Sequence, residues 1–177
     1  MYGLPGVCTL CSESNMSKSQ DLLHRLEFAV DLARRAGDIT KQHFQTDLSI
    51  ELKDDQSPVT IADRAAERLM REAIETAFPM DGILGEEFGE TRPGSPGRWI
   101  LDPIDGTRSF ARGVPLYGVL IAYEDRETSV LGVLHFPALG ETIYAARGHG
   151  CHWNEHEAHV SVVDRLEDAV ITTTTVE

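Results

Sequence analysis

Trp99-Ile100-Leu101-Asp102-Pro103-Ile104-Asp105-Gly106-Thr107 sets an apolar segment against two carboxylates, with glycine and threonine directly behind them. Three apolar residues in a row predict a buried strand that stops at Asp102. A tight turn would then bring Asp105 back towards the same point. Carboxylates this close raise each other's pKa unless a cation lies between them. A set of oxygen ligands suits Mg²⁺, which takes carboxylates, waters and phosphate oxygens. Gly106 allows the backbone to approach a bound anion, and the Thr107 hydroxyl can orient a water. The stretch reads as a metal-dependent phosphate site. Asp-Gly and Asp-Pro are also common turn dipeptides, so surface punctuation is the lesser, competing reading of the segment taken alone.

Its neighbours decide the reading. Upstream, Gly85-Glu86-Glu87 closes the short apolar run Gly82-Ile83-Leu84, and Pro58-Val59-Thr60-Ile61-Ala62-Asp63 opens a helix with an acid in its first turn. Lys53 and Asp54 precede that opening. In this order, these segments resemble the inositol monophosphatase-like family of Mg²⁺-dependent phosphomonoesterases, over nearly all of the chain outside its first twenty residues. Arg108-Ser109-Phe110, the run Arg112 to Gly118, and Gly85-Glu86-Glu87-Phe88-Gly89 are similar to the histidinol-phosphate phosphatase branch. An inositol monophosphatase or a broad sugar-phosphate phosphatase is the alternative.

The resemblance implies roles residue by residue. Glu86, Asp102, the Ile104 carbonyl and Asp105 match the metal ligands, and Asp63 matches an acid near a further metal. Glu86 and Thr107 match the pair that positions and activates the attacking water, with Asp102 completing the catalytic set. Asp105, Gly106, Thr107, Arg108 and Ser109 fall on the substrate, Gly106 and Thr107 as backbone donors to its phosphate. The cofactor implied is Mg²⁺ and the partner a small phosphorylated alcohol. Haloacid-dehalogenase-type phosphatases share part of this vocabulary, as D-x-D-G-T. Here Pro103 and Ile104 separate the acids where that motif has one residue, which changes the direction of the second side chain along an extended segment.

The resembled fold is a layered α+β sandwich followed by a second α/β domain, which supplies a further metal-binding Asp from a Trp-Asp motif. No Trp-Asp pair occurs in this sequence. The expected organisation is a flexible extension over residues 1–20, a metal-binding α+β domain over 21–165, and the start of a truncated second domain over 166–177. On that expectation the activity of this chain alone is doubtful, and a non-catalytic metal-binding remnant or an interaction subunit is the competing class. A missing cover would expose apolar surface, for which a homodimer is one remedy.

At 177 residues with 25% charged, the chain suffices for one substantial core. A net charge of −13 argues against nonspecific binding to nucleic acid or anionic lipid. No apolar run reaches the length of a membrane span, and the first twenty residues lack the pattern of a secretory signal. The expected location is the cytoplasm. Three cysteines make no disulfide framework. Cys8 and Cys11 with Cys151 and a histidine could form a zinc site, but free thiols in a reducing compartment are the preferred reading. His149, His152, His156 and His159 fit no standard ligand pair and read as the rim of a solvated hairpin.

Periodicity supplies the rest. Leu22, Leu26, Val30, Ala33, Ala36, Thr40 and Phe44 recur at helical spacing and predict a helix over 21–44, for which Asp21 is the candidate cap. Leu48, Ile50 and Leu52 alternate as in a half-buried strand. A second helix runs to about Phe78 with Ala62, Ala66, Leu69, Ala73, Ile74 and Ala77 inward. Short strands are expected at 83–84 and 99–101, joined by a loop over 89–98. Antiparallel strands follow at 114–123, 128–136 and 141–146, with one more hairpin from Gly148. Two helices packed on an antiparallel sheet give an α+β layered sandwich.

Overall fold

In a computed structural model, residues 9–46, 51–52 and 58–172 are described, with side chains from Lys18 onward except in 51–59. Lys53 and Asp54, and the expected strand positions Leu48 and Ile50, lie outside the described residues, as do residues 1–8. Helix α1 spans Thr9–His43 and α2 spans Ile61–Ala77. Strands β1 (Glu51–Leu52) and β2 (Pro58–Val59) form a small antiparallel pair before α2. The main sheet follows. It comprises β3 (Gly82–Gly85), β4 (Gly89–Thr91), β5 (Gly97–Asp105), β6 (Gly118–Asp125), β7 (Thr128–Phe136), β8 (Glu141–Ala146), β9 (Cys151–Trp153) and β10 (His156–Glu157). A five-residue helix, α3 (Thr107–Ala111), follows β5.

Spatial strand order is β10-β9-β8-β7-β6-β5-β3-β4. Every ladder is antiparallel except β3 with β5, which run parallel with Leu84 opposite Ile100 and Gly85 opposite Leu101. The parallel pair departs from the all-antiparallel expectation. Its cause is β4, which turns back on the outer edge of β3 inside the segment expected to be loop. The chain then re-enters the sheet at Gly97 on the other side of β3, in the direction β3 had. The α+β layered arrangement holds, with the helices against this mostly antiparallel sheet.

The first helix is longer than its apolar pattern. It begins at Thr9 instead of Asp21, because nothing in Thr9–Gln20 breaks a helix even though no apolar stripe recurs there. From Leu26 the stripe is buried as expected at Ala33, Ala36 and Thr40, with Ala29 and Leu32 added. On α2 the inward face is Ala62, Asp63, Ala66, Glu67, Met70 and Ile74, while Ala77 in the last turn is exposed. Two acids, Asp63 and Glu67, therefore share this face with Ala62 and Ala66, where the apolar periodicity marked only the two alanines. Strands 128–136 and 141–146 fall where alternation placed them. The strand expected from Val114 starts at Gly118, and residues 114–117 are the approach to it.

Trp99 anchors the core. It is fully buried, with the rings of Phe28, Phe78 and Tyr123 packed around it at centroid distances of 5.8, 5.3 and 4.9 Å. Its indole N–H donates to Asp81 at 3.0 Å, and Asp81 also receives the Arg25 guanidinium, which lies over the faces of Phe78 and Tyr123. Burying a side chain of this size is worth about 4–6 kcal/mol from area alone. The indole also fixes the start of β5, the strand that ends in the acidic motif.

Helix α1 crosses the sheet closely at Gly37. A Cβ there would lie 2.6 Å from His135 Cδ2 and 2.8 Å from Pro137 Cγ. His135 Nδ1 lies 3.0 Å from the Thr142 hydroxyl and 3.1 Å from the Glu141 carbonyl on β8. Burial holds the imidazole below its ordinary pKa. Arg34 and Lys41 of α1 push the same way, against Asp38 and the Glu141 carbonyl. The unfolded chain, near the ordinary value of about 6.5, therefore takes up the proton first. Stability from this group is complete above about pH 6.5 and is lost as pH falls through the folded value. Other groups, Asp102 among them, also titrate with folding here, so the difference between wild type and His135→Gln is the readout. From pH 7.5 to 5.5 the wild-type urea midpoint should fall relative to that of His135→Gln, and a constant difference would refute the assignment.

Candidate functional site

The two acids of the opening motif meet by a route other than the expected turn. Strand β5 does not stop at Asp102; it continues to Asp105. Asp102 pairs with Leu120 and Asp105 with Gly118, so three steps along β5 oppose two along β6. This is a β-bulge. In regular strand, residues three apart point to opposite faces, and one extra residue restores them to the same side. Pro103 sits in the bulge, where a missing N–H costs no ladder bond. The Ile104 N–H donates to Asp102 Oδ1 at 3.1 Å, so the carboxylate closes the backbone gap that the bulge opens.

Glu86 arrives from β3. Its backbone N–H donates to the Leu101 carbonyl at 3.2 Å, which ties the Gly-Glu-Glu turn to the residue before Asp102. Glu86 and Asp102 share a side-chain hydrogen bond. The Asp102 pKa is pushed up to about 8, first by burial, then by the charge of Glu86 and their hydrogen bond, then by Asp105. A cation between the two carboxyls would relieve this repulsion.

Asp63 closes the site from α2. It is 2% exposed, and its Oδ2 accepts from the Thr60 N–H at 2.8 Å and the Thr60 hydroxyl at 2.6 Å. The Thr60 hydroxyl in turn accepts from the Ala62 N–H, so the helix starts with a capping box. Burial raises the Asp63 pKa; the bonds from Thr60 oppose the rise, and the charge of Glu86 adds to it. Its other oxygen faces the Thr107 hydroxyl at 3.4 Å, and Thr107 lies 2.9 Å from the Ile104 carbonyl. The motif reading linked Thr107 with Glu86. The geometry adds Asp63 beside Thr107, so this acid serves the hydroxyl and the helix start together.

Gly106 is required by its backbone. Its φ of 87° is left-handed, and a Cβ would lie 3.1 Å from the Leu116 carbonyl. Gly106 O accepts from the Ser109 and Phe110 N–H groups, which starts α3. The Ser109 N–H is therefore engaged within the chain. Ser109 joins Asp105 and Gly106 along an open cavity of about 350 Å³, whose far wall includes Leu116, Phe136 and Glu141. Arg108 is exposed, and its carbonyl takes the Arg112 guanidinium at 3.1 Å. Among the described residues, the Arg108 side chain makes no hydrogen bond or ion pair with these acids.

The apolar periodicity missed Glu67. It is fully buried on α2, accepts from the Glu87 N–H at 2.7 Å and the Phe88 N–H at 3.2 Å, and pairs with Arg71 at 2.7 Å. A signal was present, since glutamate and arginine four apart on a helix are neighbours. Among the described residues, no three His, Cys, Asp or Glu side chains are grouped closely enough to enclose an ion, and Cys151 is a free thiol. His152 stacks on Tyr144 at 5.3 Å and His149 meets the Ser19 hydroxyl at 3.1 Å, so these histidines pack against neighbours. The donor chemistry at Glu86, Asp102, Ile104 O and Asp105 suits a hard divalent cation.

Residues 21–177 match the inositol monophosphatase family. The chain belongs to that family. Among its curated relatives is the histidinol-phosphatase of Chlorobaculum parvum, 50% identical over 139 residues, covering 78% of this chain and 54% of the relative. Another is the histidinol-phosphatase of Streptomyces coelicolor, 41% identical over 159 residues, covering 84% and 59%. A solved IMPase of Thermotoga maritima superposes with a TM-score of 0.74 at 36% identity, covering 78% of this chain and 54% of that one. Inositol monophosphatase family enzymes are metal-dependent. The chain spans a little over half the length of these relatives. Among the described residues, no helix is long and apolar enough to cross a membrane.

The left-handed Gly106 gives a test of the family motif as architecture. Gly106→Ala should lower stability by about 1–2 kcal/mol from backbone strain alone. Urea denaturation checks this, and a change within about 0.5 kcal/mol, the range of neutral surface substitutions, would contradict the strained turn.

Proposed function

We propose that this chain carries the metal-holding part of a phosphomonoesterase for a small alcohol phosphate, L-histidinol phosphate being the favoured substrate. The observation that supports it most is the bulge in β5, which sets Asp102 and Asp105 on one side with Glu86 hydrogen-bonded to Asp102. In this reading Glu86, Asp102, the Ile104 carbonyl and Asp105 hold Mg²⁺, with Asp63 beside them. When bound, the ion supplies electrostatic stabilisation of charge developing on phosphoryl and leaving oxygens.

The chain's own residues do the rest. The Thr107 hydroxyl, held between the Ile104 carbonyl and Asp63, has one proton to give and lone pairs that accept from an attacking water. Glu86 takes the proton from that water. The backbone at Gly106 and Thr107 receives the phosphate, and the cavity beside Asp105 takes part of the alcohol. Histidinol phosphate is favoured by the 50% identity to a protein named for that activity. Inositol phosphates are the second reading, favoured by the likeness to the Thermotoga IMPase.

Residues 21–165 are proposed as the metal-binding domain and 166–177 as the start of a second α/β domain. In support, Val160, Val162, Leu166, Val170 and Ile171 are between 77% and 100% exposed, which is unusual for apolar residues placed so close together. Such a domain would complete the substrate pocket. The proposed location is the cytoplasm.

Two measurements test this reading. Mg²⁺ should raise the melting temperature, by the equivalent of about 2.7 kcal/mol at a hundredfold excess over its Kd, and Asp102→Asn should abolish most of the response. A melting curve unmoved by Mg²⁺ rejects the cation site. For activity, phosphate release is followed for the chain and for a version continued by the remaining sequence of the Chlorobaculum relative. The chain alone should be slow on histidinol phosphate and the extended version fast. Glu86→Gln should cost the extended version on the order of a hundred- to a thousandfold. Brisk release from inositol phosphates alone moves the assignment to the second reading.

A further inference from the structure

The Gly85–Gly89 turn carries Glu86 yet has little packing of its own, since Glu86, Phe88 and Gly89 are all exposed. Residues 86–88 form the three-residue link between β3 and β4, and an acid there that faces other acids would turn outward unless something held it. The geometry points to the Glu67–Arg71 pair of α2 as the device that holds it, and we propose that these two positioning residues set the orientation of the Glu86 carboxylate towards Asp102. Neither touches substrate; both act through the backbone of the turn.

The contacts are specific to that backbone. Glu67 is 0% exposed and places one oxygen on the Glu87 N–H and the other on the Phe88 N–H and the Arg71 guanidinium. Arg71 extends the clamp, donating to the Gly89 carbonyl and to the Thr91 hydroxyl at 2.9 Å. One carboxylate and one guanidinium thus grip the turn from the residue after Glu86 to the start of β4. Gly85 completes the fit, because any Cβ at that position would run into the Glu67 carboxyl. On the other side of Glu86, its own N–H is fixed to Leu101. The acid is therefore pinned on both flanks, by β5 before it and by α2 after it. A buried carboxylate is costly unless every oxygen finds donors. An apolar residue would pack α2 at lower cost, so stability alone does not account for this placement.

The consequence for the ion rests on the cation site proposed above; the consequence for the turn does not. Partners that orient metal ligands typically change affinity by about 10–100-fold when altered. The test uses the whole chain as wild type, Glu67→Gln and Arg71→Lys. Amide hydrogen exchange is read at Glu87 and Phe88 with Ile121 of β6 as the core reference, and Mg²⁺ affinity is read by calorimetric titration. In Glu67→Gln, exchange at Glu87 and Phe88 should rise at least tenfold while Ile121 stays within about twofold, and Mg²⁺ affinity should fall at least tenfold. Arg71→Lys keeps a cation beside Glu67 but loses the fork to Gly89 and Thr91. It should show the same pattern, smaller in size, which keeps the test open if Glu67→Gln fails to fold. Unchanged exchange in the turn, or a rise shared equally by Ile121, overturns the proposal. Selective loosening of the turn in a wild-type background that binds no Mg²⁺ would uphold the positioning role and reject the cation site instead.

Discussion

Carboxylates repel, and at the end of β5 the fold must hold four of them in one neighbourhood: Glu86, Asp102, Asp105 and Asp63. Most of the surrounding architecture can be understood as the means of doing so. Trp99 and its ring of aromatics fix the start of β5, and the bulge turns its far end so that two acids share a side. The parallel pairing of β3 brings Glu86 alongside. Helix α2 delivers Asp63 in its first turn and Glu67 one turn later, the first capping the helix and the second gripping the opposing loop. Each acid that faces the site is thus tied to backbone that cannot easily retreat. Crowding of this sort costs stability in the absence of a counter-ion, which is in keeping with the cation site proposed above.

Much of this was legible in the residues themselves. Alternation placed β7 and β8 to the residue, because each has one buried and one wetter face and loops of ordinary turn chemistry on either side. The acidic motif was legible because Asp, Gly and Thr behind an apolar run are an improbable combination for a core strand. The bulge was not, since alternation says nothing about an inserted residue whose only signature here is Pro103. The parallel pairing also escaped a local reading: it depends on β4 occupying the outer edge, which is a fact of topology and not of any window of sequence.

The buried acids of α2 show the sharper limit. Asp63 was singled out by its place in a motif, but its bond to Thr107 joins residues 44 apart and leaves no trace in either segment. Glu67 is invisible to apolar periodicity, in which an inward glutamate counts as noise. Its partner Arg71 was visible at four residues' distance; its targets, the Glu87 and Phe88 amides, were not. Buried polar groups are specified by three-dimensional satisfaction, so sequence alone names them only when a pair falls on one helix.

The strand order has a consequence for how the molecule comes together. From β5 to β10 each strand lies beside its successor, and β3 joins β5 across a short return, so every ladder closes a modest loop. Such a meander can assemble progressively from its local pairs. Helix α1 is the exception: at Gly37 it rests on His135, nearly a hundred residues later in the chain. During synthesis this helix leaves the ribosome well before the sheet it must cover, with its apolar stripe from Leu26 to Thr40 covered only by α2 until β6, β7 and β8 arrive. The interval between those two events is the period in which a nascent chain of this design is most exposed to aggregation and to holdase chaperones.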